Sequence, residues 1–145
     1  ILYTGTPMAV PNWKLFNIIE KAGGVVVGEE TCTGSRYYKD LVREDGQTVD
    51  EMLDAIAERY FGINCAIFTP NDGRVADIVS MARDLHADGI IDCSLQFCTC
   101  YEMESFAVEK AAEEAGIPCM HITTDYANED AGQLTTRIEA FLEMI

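Results

Sequence analysis

The sequence contains no long apolar run and few basic residues. No stretch approaches the roughly 20 consecutive apolar residues that a helix needs to cross a bilayer. Lysine plus arginine amount to 10 against 25 aspartates and glutamates, which gives a net charge of -15. A chain this acidic repels phosphate backbones and anionic lipid surfaces. We therefore expect neither nucleic acid nor a membrane among its partners.

Several motifs with familiar chemistry are also absent. No Gly-x-Gly-x-x-Gly, Gly-Lys-Ser/Thr or Gly-x-Ser-x-Gly occurs, which excludes the common dinucleotide, P-loop and nucleophile-elbow motifs. No set of four cysteines, or of two cysteines and two histidines, has the spacing of a zinc site. The two histidines are interpreted as a surface residue near a helix end, His86, and a hydrogen-bonded strand residue, His121. Neither is predicted to be a catalytic base.

Length and composition indicate one globular domain. The 145 residues are 48% hydrophobic and 24% charged, without repeats or low-complexity segments, which excludes a disordered tail. The first residues, Ile1-Leu2-Tyr3, include neither an initiator methionine nor a signal peptide and already have the pattern of a buried strand. We therefore expect residues 1–145 to be a single domain of a longer polypeptide.

Apolar runs and helical periodicities alternate along the chain. Strands separated by amphipathic helices indicate parallel strands with right-handed crossovers, hence an α/β, doubly wound fold with about four main strands. The segment 64–68 fits either a short strand or an ordered loop. Strands are predicted at 1–4, 24–28, 89–94 and 117–123, and helices at 12–22, 49–60, 75–85, 102–115 and 134–145.

Two of these elements have especially clear patterns. Gly24-Val25-Val26-Val27-Gly28 is typical of a parallel strand buried on both faces. Thr48 and Glu51 have the spacing of a capping box. The helix that they begin has one apolar face at 3.6-residue spacing, formed by Val49, Met52, Leu53, Ile56, Ala57 and Tyr60.

Ligands of doubly wound sheets bind beyond the carboxyl ends of the strands. The segments predicted there are 4–7, 29–36, 96–101 and 123–126, and they hold most of the unusual polar chemistry. The segment 29–36 combines acids, hydroxyls, Cys32 and Arg36. It is either a capped loop with one ion pair or a site in which Arg36 holds a phosphate or carboxylate.

Six cysteines are many for this length, and most are interpreted as reduced thiols in the core, Cys65, Cys93 and Cys119 in particular. Cys98 differs because it follows a strand and precedes a helix. The partial positive charge of a helix N-terminus favours the thiolate, the form that binds metals or attacks electrophiles. Cys98-Thr99-Cys100 cannot complete a metal site alone, so one ligand shared with another domain is the remaining possibility.

Together the motifs resemble the C-terminal domain of the 2-hydroxyacyl-CoA dehydratase family, which includes 2-hydroxyglutaryl-CoA dehydratase and benzoyl-CoA reductase subunits. The resemblance covers nearly the whole chain. Its most specific parts are Gln96-Phe97-Cys98 and the closing segment 132–141. The other matching segments are 3–7, 30–36, 117–118 and 125–126.

The resemblance implies a flavodoxin- or Rossmann-like fold in a cytoplasmic, oxygen-sensitive heterodimer of anaerobes. It implies a lyase that removes water from an (R)-2-hydroxyacyl-CoA through a ketyl radical and forms a 2-enoyl-CoA. The electron passes from an ATP-dependent iron–sulfur activator protein through a [4Fe-4S] cluster held by three cysteines. The fragment alone is expected to be inactive. Two alternatives are a subunit of a related low-potential reductase, of the benzoyl-CoA reductase or double-cubane-cluster type, and a non-catalytic scaffold domain.

By position, the resemblance implies that Cys98 is the metal ligand from this domain. The other two cysteine ligands would lie outside residues 1–145. Cys32 and Cys100 are possible neighbours of the cluster. No residue is assigned a catalytic role, and the acyl-CoA is not specified.

Overall fold

A computed structural model describes all 145 residues. Strands and helices alternate in most of the chain, as predicted. None of the helices is long and apolar enough to cross a membrane. The elements are β1 (Leu2–Gly5), α1 (Lys14–Lys21), β2 (Gly28–Glu30), α2 (Ser35–Tyr38), α3 (Val49–Phe61), α4 (Asp72–Asp84), β3 (Ile90–Leu95), α5 (Thr99–Glu114), β4 (Cys119–Thr124) and α6 (Ala131–Met144).

The four strands form one parallel sheet in the order β2-β1-β3-β4. Helices α1 and α6 pack on one face and α4 and α5 on the other, so the predicted doubly wound α/β fold is confirmed. Each face has its own apolar core, and burial of these side chains is the main stabilising contribution. The α1/α6 core is centred on Tyr3, Leu15, Ile19, Ile91, Ile122, Ile138 and Phe141, and the α4/α5 core on Leu2, Ile78, Ala82, Ile90, Val108 and Ala112.

The second strand lies later in the chain than predicted. Val25 is 68% exposed and only Gly28–Glu30 pair with β1, so the strand at 24–28, buried on both faces, was wrong. Residues 24–27 instead run past the start of β1, where the Ile1 amine donates to the Val25 carbonyl (2.7 Å). Because β2 is an edge strand, one of its flanks is open. The two glutamates at 29 and 30 therefore belong to the strand and not to the following loop.

Helix α3 has the predicted start but not a buried apolar face. Thr48 Oγ1 accepts from the Glu51 N–H (3.3 Å), and the Glu51 carboxylate accepts from the Thr48 N–H (2.9 Å), which confirms the capping box. Only Ala55 of this helix is buried, and neither apolar core includes α3. Its apolar side chains face solvent: Val49, Met52, Leu53, Ile56, Tyr60 and Phe61.

Other boundaries differ by a few residues. Helix α5 starts at Thr99 and not at 102, so its first turn includes more of the segment after β3. The short helix α2 was not predicted, and the segment 64–68 forms turns and no strand. Gly116 follows α5 with φ +71°, as a glycine stop for that helix requires.

Candidate functional site

A row of polar side chains crosses all four strands, near the carboxyl ends of β1 and β2 and in the middle of β3 and β4. In register, Glu30 lies beside Thr4, Thr4 beside Asp92, and Asp92 beside His121. Side chains in register point to the same face of a sheet, here the face covered by α4 and α5. Glu30 is 2% exposed, Thr4 0% and Asp92 1%. Buried polar groups need partners, and the helices supply them.

Two arginines surround Glu30 at one end of this polar row. Arg36 Nε donates to Glu30 Oε1 (2.7 Å). Arg74 Nη2 lies 3.2 Å from Glu30 Oε2 and donates to Thr4 Oγ1 (2.9 Å), and Thr4 Oγ1 donates to Glu30 Oε2 (2.6 Å). Arg74 Nη1 donates to Glu104 Oε2 on α5 (2.7 Å). Every charge in this buried network therefore faces one of opposite sign, as low-dielectric surroundings require.

Tyr101, in the first turn of α5, lies close to both guanidinium groups. Its ring centroid is 5.0 Å from Arg74 Cζ and 6.0 Å from Arg36 Cζ. Arg36 Nη1 donates to the phenol oxygen (3.1 Å), which also lies 3.3 Å from Cys32 Sγ. Burial, and then the hydrogen bond with Cys32, raise the pKa of Tyr101, so its phenol stays protonated. We call the three residues that hold it, Cys32, Arg36 and Arg74, the Tyr101 socket.

At the other end of the row, His121 connects a buried carboxylate to an exposed one. Its Nδ1 lies 3.0 Å from Asp92 Oδ2, and its Nε2 lies 3.6 Å from Glu102 Oε2. Thr123 Oγ1 donates to Glu102 Oε1 (2.8 Å). The hydrogen bond with Asp92 raises the pKa of His121 above its ordinary value, against the lowering effect of burial. The prediction that His121 is a hydrogen-bonded strand residue is confirmed.

Cys98 lies at the N-cap of α5, above the polar row. Its N–H donates to the Leu95 carbonyl (2.9 Å), and the residue is partly exposed. The preceding Phe97 is 94% exposed and has φ +67°. The thiol therefore occupies the predicted place, between the carboxyl end of a strand and the positive end of a 16-residue helix.

The cysteine, histidine and carboxylate side chains of this chain do not form a complete metal centre, although a single one of them could be a ligand in a shared centre. No group of three or more cysteine, histidine, aspartate or glutamate side chains is arranged to hold a metal. An iron–sulfur cluster needs several thiolates around it, and here one partly exposed thiol at the sheet edge is placed to contribute. The side chains of this chain therefore hold no complete metal centre, and the role of Cys98 as one ligand of a shared centre stays a prediction.

The remaining cysteines have different environments. Cys93 is buried in the α1/α6 core and Cys119 packs against the α4/α5 core, as predicted, and burial raises the pKa of each thiol to about 12. Cys65 belongs to neither core and lies in the turns at 64–68, so its core assignment was wrong. Cys32 and Cys100 are exposed. The structure places Cys32 against the first turn of α5, which carries Cys100, while their proximity to a cluster stays a prediction.

Sequence analysis missed two members of the buried network, Arg74 and Glu104. A signal was present, because charged residues at these positions continue apolar stripes with a spacing of four. Arg74 precedes Ile78 and Ala82 on α4, and Glu104 occupies the equivalent place on α5. A charge on the buried stripe of a helix predicts a buried partner.

Comparison with known proteins gives consistent matches. The family model described as "2-hydroxyglutaryl-CoA dehydratase, D-component" matches residues 1–145. The chain is 39% identical over 146 residues to "Putative dehydratase subunit YjiM" of Escherichia coli strain K12, covering 100% of this chain and 37% of that protein. It is 33% identical over 132 residues to the "(R)-phenyllactyl-CoA dehydratase beta subunit" of Clostridium sporogenes, covering 90% and 34%.

A more distant match has a similar extent. The chain is 24% identical over 137 residues to "Lactoyl-CoA dehydratase subunit beta" of Anaerotignum propionicum, covering 93% of this chain and 36% of that protein. The chain thus spans little more than a third of the length of these curated relatives.

Proposed function

The chain belongs to the 2-hydroxyglutaryl-CoA dehydratase, D-component, family, and on that premise we propose that it is the C-terminal domain of a dehydratase subunit. The substrate class is an (R)-2-hydroxyacyl-CoA, which loses water to give a 2-enoyl-CoA. Support comes from relatives whose names specify phenyllactyl-CoA and lactoyl-CoA. In this proposal residues 1–145 form one domain of a longer subunit, because a single sheet organises both apolar cores.

The proposed role of Cys98 is to supply one ligand to a [4Fe-4S] cluster whose other cysteines lie elsewhere in the subunit. When bound, such a cluster supplies a single electron to the thioester carbonyl, which allows the α-hydroxyl to leave and the β-proton to be removed. The observation that carries the proposal is the position of Cys98. The thiol is partly exposed at the start of α5, on the sheet edge where doubly wound folds bind their ligands.

The chain's own residues have two tasks in this proposal. The N-terminus of α5 places partial positive charge beside Cys98, on the side where a negatively charged metal centre would lie. The start of α5 is bonded to the sheet through Glu102, which accepts from Thr123, and to the arginines of α2 and α4 through Tyr101 and Glu104. In this proposal these features together hold the Cys98 sulfur in a fixed orientation beyond the carboxyl end of β3.

The proposed partners are a second dehydratase subunit, in a heterodimer, and an ATP-dependent iron–sulfur activator protein, all in the cytoplasm. The exposed apolar side chains of α3 and α5 support a covered surface in an assembly, since contiguous exposed apolar groups mark interaction sites. On α5 they are Met103 and Phe106, each 73% exposed, close to Phe97 in the chain.

The test replaces Cys98 by alanine in the full-length subunit, purified anaerobically with its partner. We expect the iron content and the absorbance of the cluster to fall, and dehydration of an (R)-2-hydroxyacyl-CoA with activator, ATP and reductant to be lost. Cys65→Ala is the matched control, because that thiol is also partly exposed and belongs to neither apolar core. An unchanged cluster spectrum in Cys98→Ala would exclude Cys98 as a ligand.

A further inference from the structure

We propose that Tyr101 is the positioning residue for Cys98, and that the Tyr101 socket exists to hold it. The inference rests on the proposed function, since what Tyr101 positions is the thiol proposed to bind the cluster. It gives a role to the segment 29–36, whose thiol and guanidinium sequence analysis interpreted as a capped loop or an anion site. In the structure both groups contact the phenol of Tyr101.

The first turn of α5 links Tyr101 to Cys98. Cys98 is the N-cap, and Tyr101 follows three residues later. Residues three apart lie on the same side of a helix, one turn from each other. The Cys98 carbonyl accepts from the N–H of Glu102, the neighbour of Tyr101 (3.1 Å). A shift of the Tyr101 side chain is therefore transmitted through one closed helical turn to Cys98.

Between β3 and α5 the chain is held by backbone hydrogen bonds and not by a buried side chain: the Cys98 N–H donates to the Leu95 carbonyl (2.9 Å), and residues 96–100 are exposed or only partly buried. The chain passes there through Phe97, whose side chain is 94% exposed and whose φ is +67°. A bulky residue with positive φ is held in a sparsely populated conformation and persists only where neighbouring structure imposes it. Tyr101 is the first buried side chain on the helix side of Cys98, so it is the first side chain that can fix the start of α5 against the interior of the domain.

The Tyr101 socket fixes the phenol in more than one direction. Arg74 lies over the ring, while Arg36 Nη1 reaches both the phenol oxygen (3.1 Å) and Cys32 Sγ (3.4 Å). Since Arg36 donates to the phenol oxygen, the phenol proton is free to point to Cys32. Both the plane and the tip of the ring are therefore constrained.

Stability alone does not account for the buried network around Tyr101. Arg36 Nη2, Arg74 Nε and Glu104 Oε1 are buried without hydrogen-bond partners. Such groups have a free-energy cost, and well-packed apolar residues often replace buried ion pairs without loss of stability. Arg36 and Arg74, which carry two of these atoms, both contact Tyr101, and this points to a requirement for the position of that tyrosine.

The experiment uses the cluster-loaded, full-length complex and the variant Tyr101→Phe, which keeps the ring close to the arginines and removes the hydroxyl. Mutation of a residue that orients a metal ligand typically costs about 10- to 100-fold in metal affinity. We expect iron release to a chelator to be about 10-fold faster or more, and the electron paramagnetic resonance spectrum of the reduced cluster to change. Tyr60→Phe, at a partly exposed tyrosine of α3, which packs on neither core, is the matched control and should change neither quantity.

A second pair of variants tests the socket from its other side. Cys32→Ser keeps a hydrogen-bonding group opposite the phenol and should behave like the wild type, whereas Cys32→Ala should resemble Tyr101→Phe. Wild-type iron release and spectrum in Tyr101→Phe would overturn the inference. So would a lower melting temperature with both unchanged, since that indicates a purely structural role. If Cys98→Ala itself retains the cluster, the proposed function fails instead.

Discussion

His121 on β4 lies opposite Asp92 on β3, with Nδ1 3.0 Å from Oδ2. Asp92 is almost completely buried, and the imidazole is the group that hydrogen-bonds its carboxylate. The carboxyl groups of Glu102 and Glu109 also favour the imidazolium form, and the Arg137 guanidinium donates to the His121 backbone carbonyl. The pair therefore joins the two strands as an ion pair when His121 is protonated.

This relationship predicts a pH dependence of stability. The folded-state pKa of His121 is raised above the unfolded value of about 6.5. The native state thus binds the proton more tightly, and the contribution is fully present below about pH 6.5. We expect it to be lost as pH rises through the folded pKa. The measurement is the urea midpoint of the wild type minus that of His121→Gln between pH 5 and pH 9.

The difference between those two midpoints should shrink as pH rises. Subtraction of the variant removes the contributions of other groups, such as the Ile1 amine, whose pKa burial lowers. A difference that is constant, or that grows with pH, would contradict an ion pair between His121 and Asp92.

Removal of Arg74 should be strongly destabilising. The side chain is 0% exposed and pairs with both Glu30 and Glu104, so Arg74→Met leaves two buried carboxylates short of a cation. Breaking a buried ion pair costs about 3–5 kcal/mol. Arg83→Met, on the exposed face of the same helix, should stay within about 0.5 kcal/mol of wild type. Urea unfolding measures both, and similar midpoints would show that the network contributes little to stability.

Two glycines should respond to alanine in opposite directions. Gly5 has φ +113°, and a Cβ there would lie 2.0 Å from the Cys93 carbonyl oxygen, so Gly5→Ala should cost at least about 2 kcal/mol. Gly132 lies in α6 with open space around it, and Gly132→Ala should gain about 0.5–1 kcal/mol. Thermal unfolding of the two variants tests both signs. A tolerated Gly5→Ala would mean that β1 does not lie this close to β3.

Residues 1–145 alone should fold but retain no stable cluster, because they contain a single placed ligand. After anaerobic reconstitution with iron and sulfide, we expect far fewer than the roughly four irons of a cubane cluster. The far-ultraviolet circular dichroism of the same sample should show a folded α/β domain. About four irons per chain, resistant to gel filtration, would mean that the domain holds the cluster without help.

The fold was accessible to sequence analysis where the signal is local. The capping box of α3 and the glycine after α5 depend on residues a few positions apart, and helical periodicity separates the strands. The second strand was misplaced because a β-branched run resembles a buried strand wherever it lies. Only its register with β1, far away in sequence, determines that Gly28–Glu30 pair and that Val25 does not.

The candidate site divides in the same way. The place of Cys98 follows from one strand and the next helix, and it was predicted. The polar row depends on the register of four strands, which no local pattern specifies. Arg74 and Glu104 could have been found as charges on buried helical stripes, although their ion pair with each other depends on how α4 and α5 pack.

Helix α3 packs on neither core, and this determines where the domain opens first. Its amides are protected by its own helical hydrogen bonds and its cap, with almost no buried contact to slow their exposure. Regions of this kind exchange with solvent through local fluctuations, whereas core strands exchange only when the whole domain unfolds. In deuterated water the amides of residues 49–61 would therefore exchange long before those of β1 and β3. A partner that covers the α3 face would slow this exchange, so the exchange rate of α3 detects such a partner.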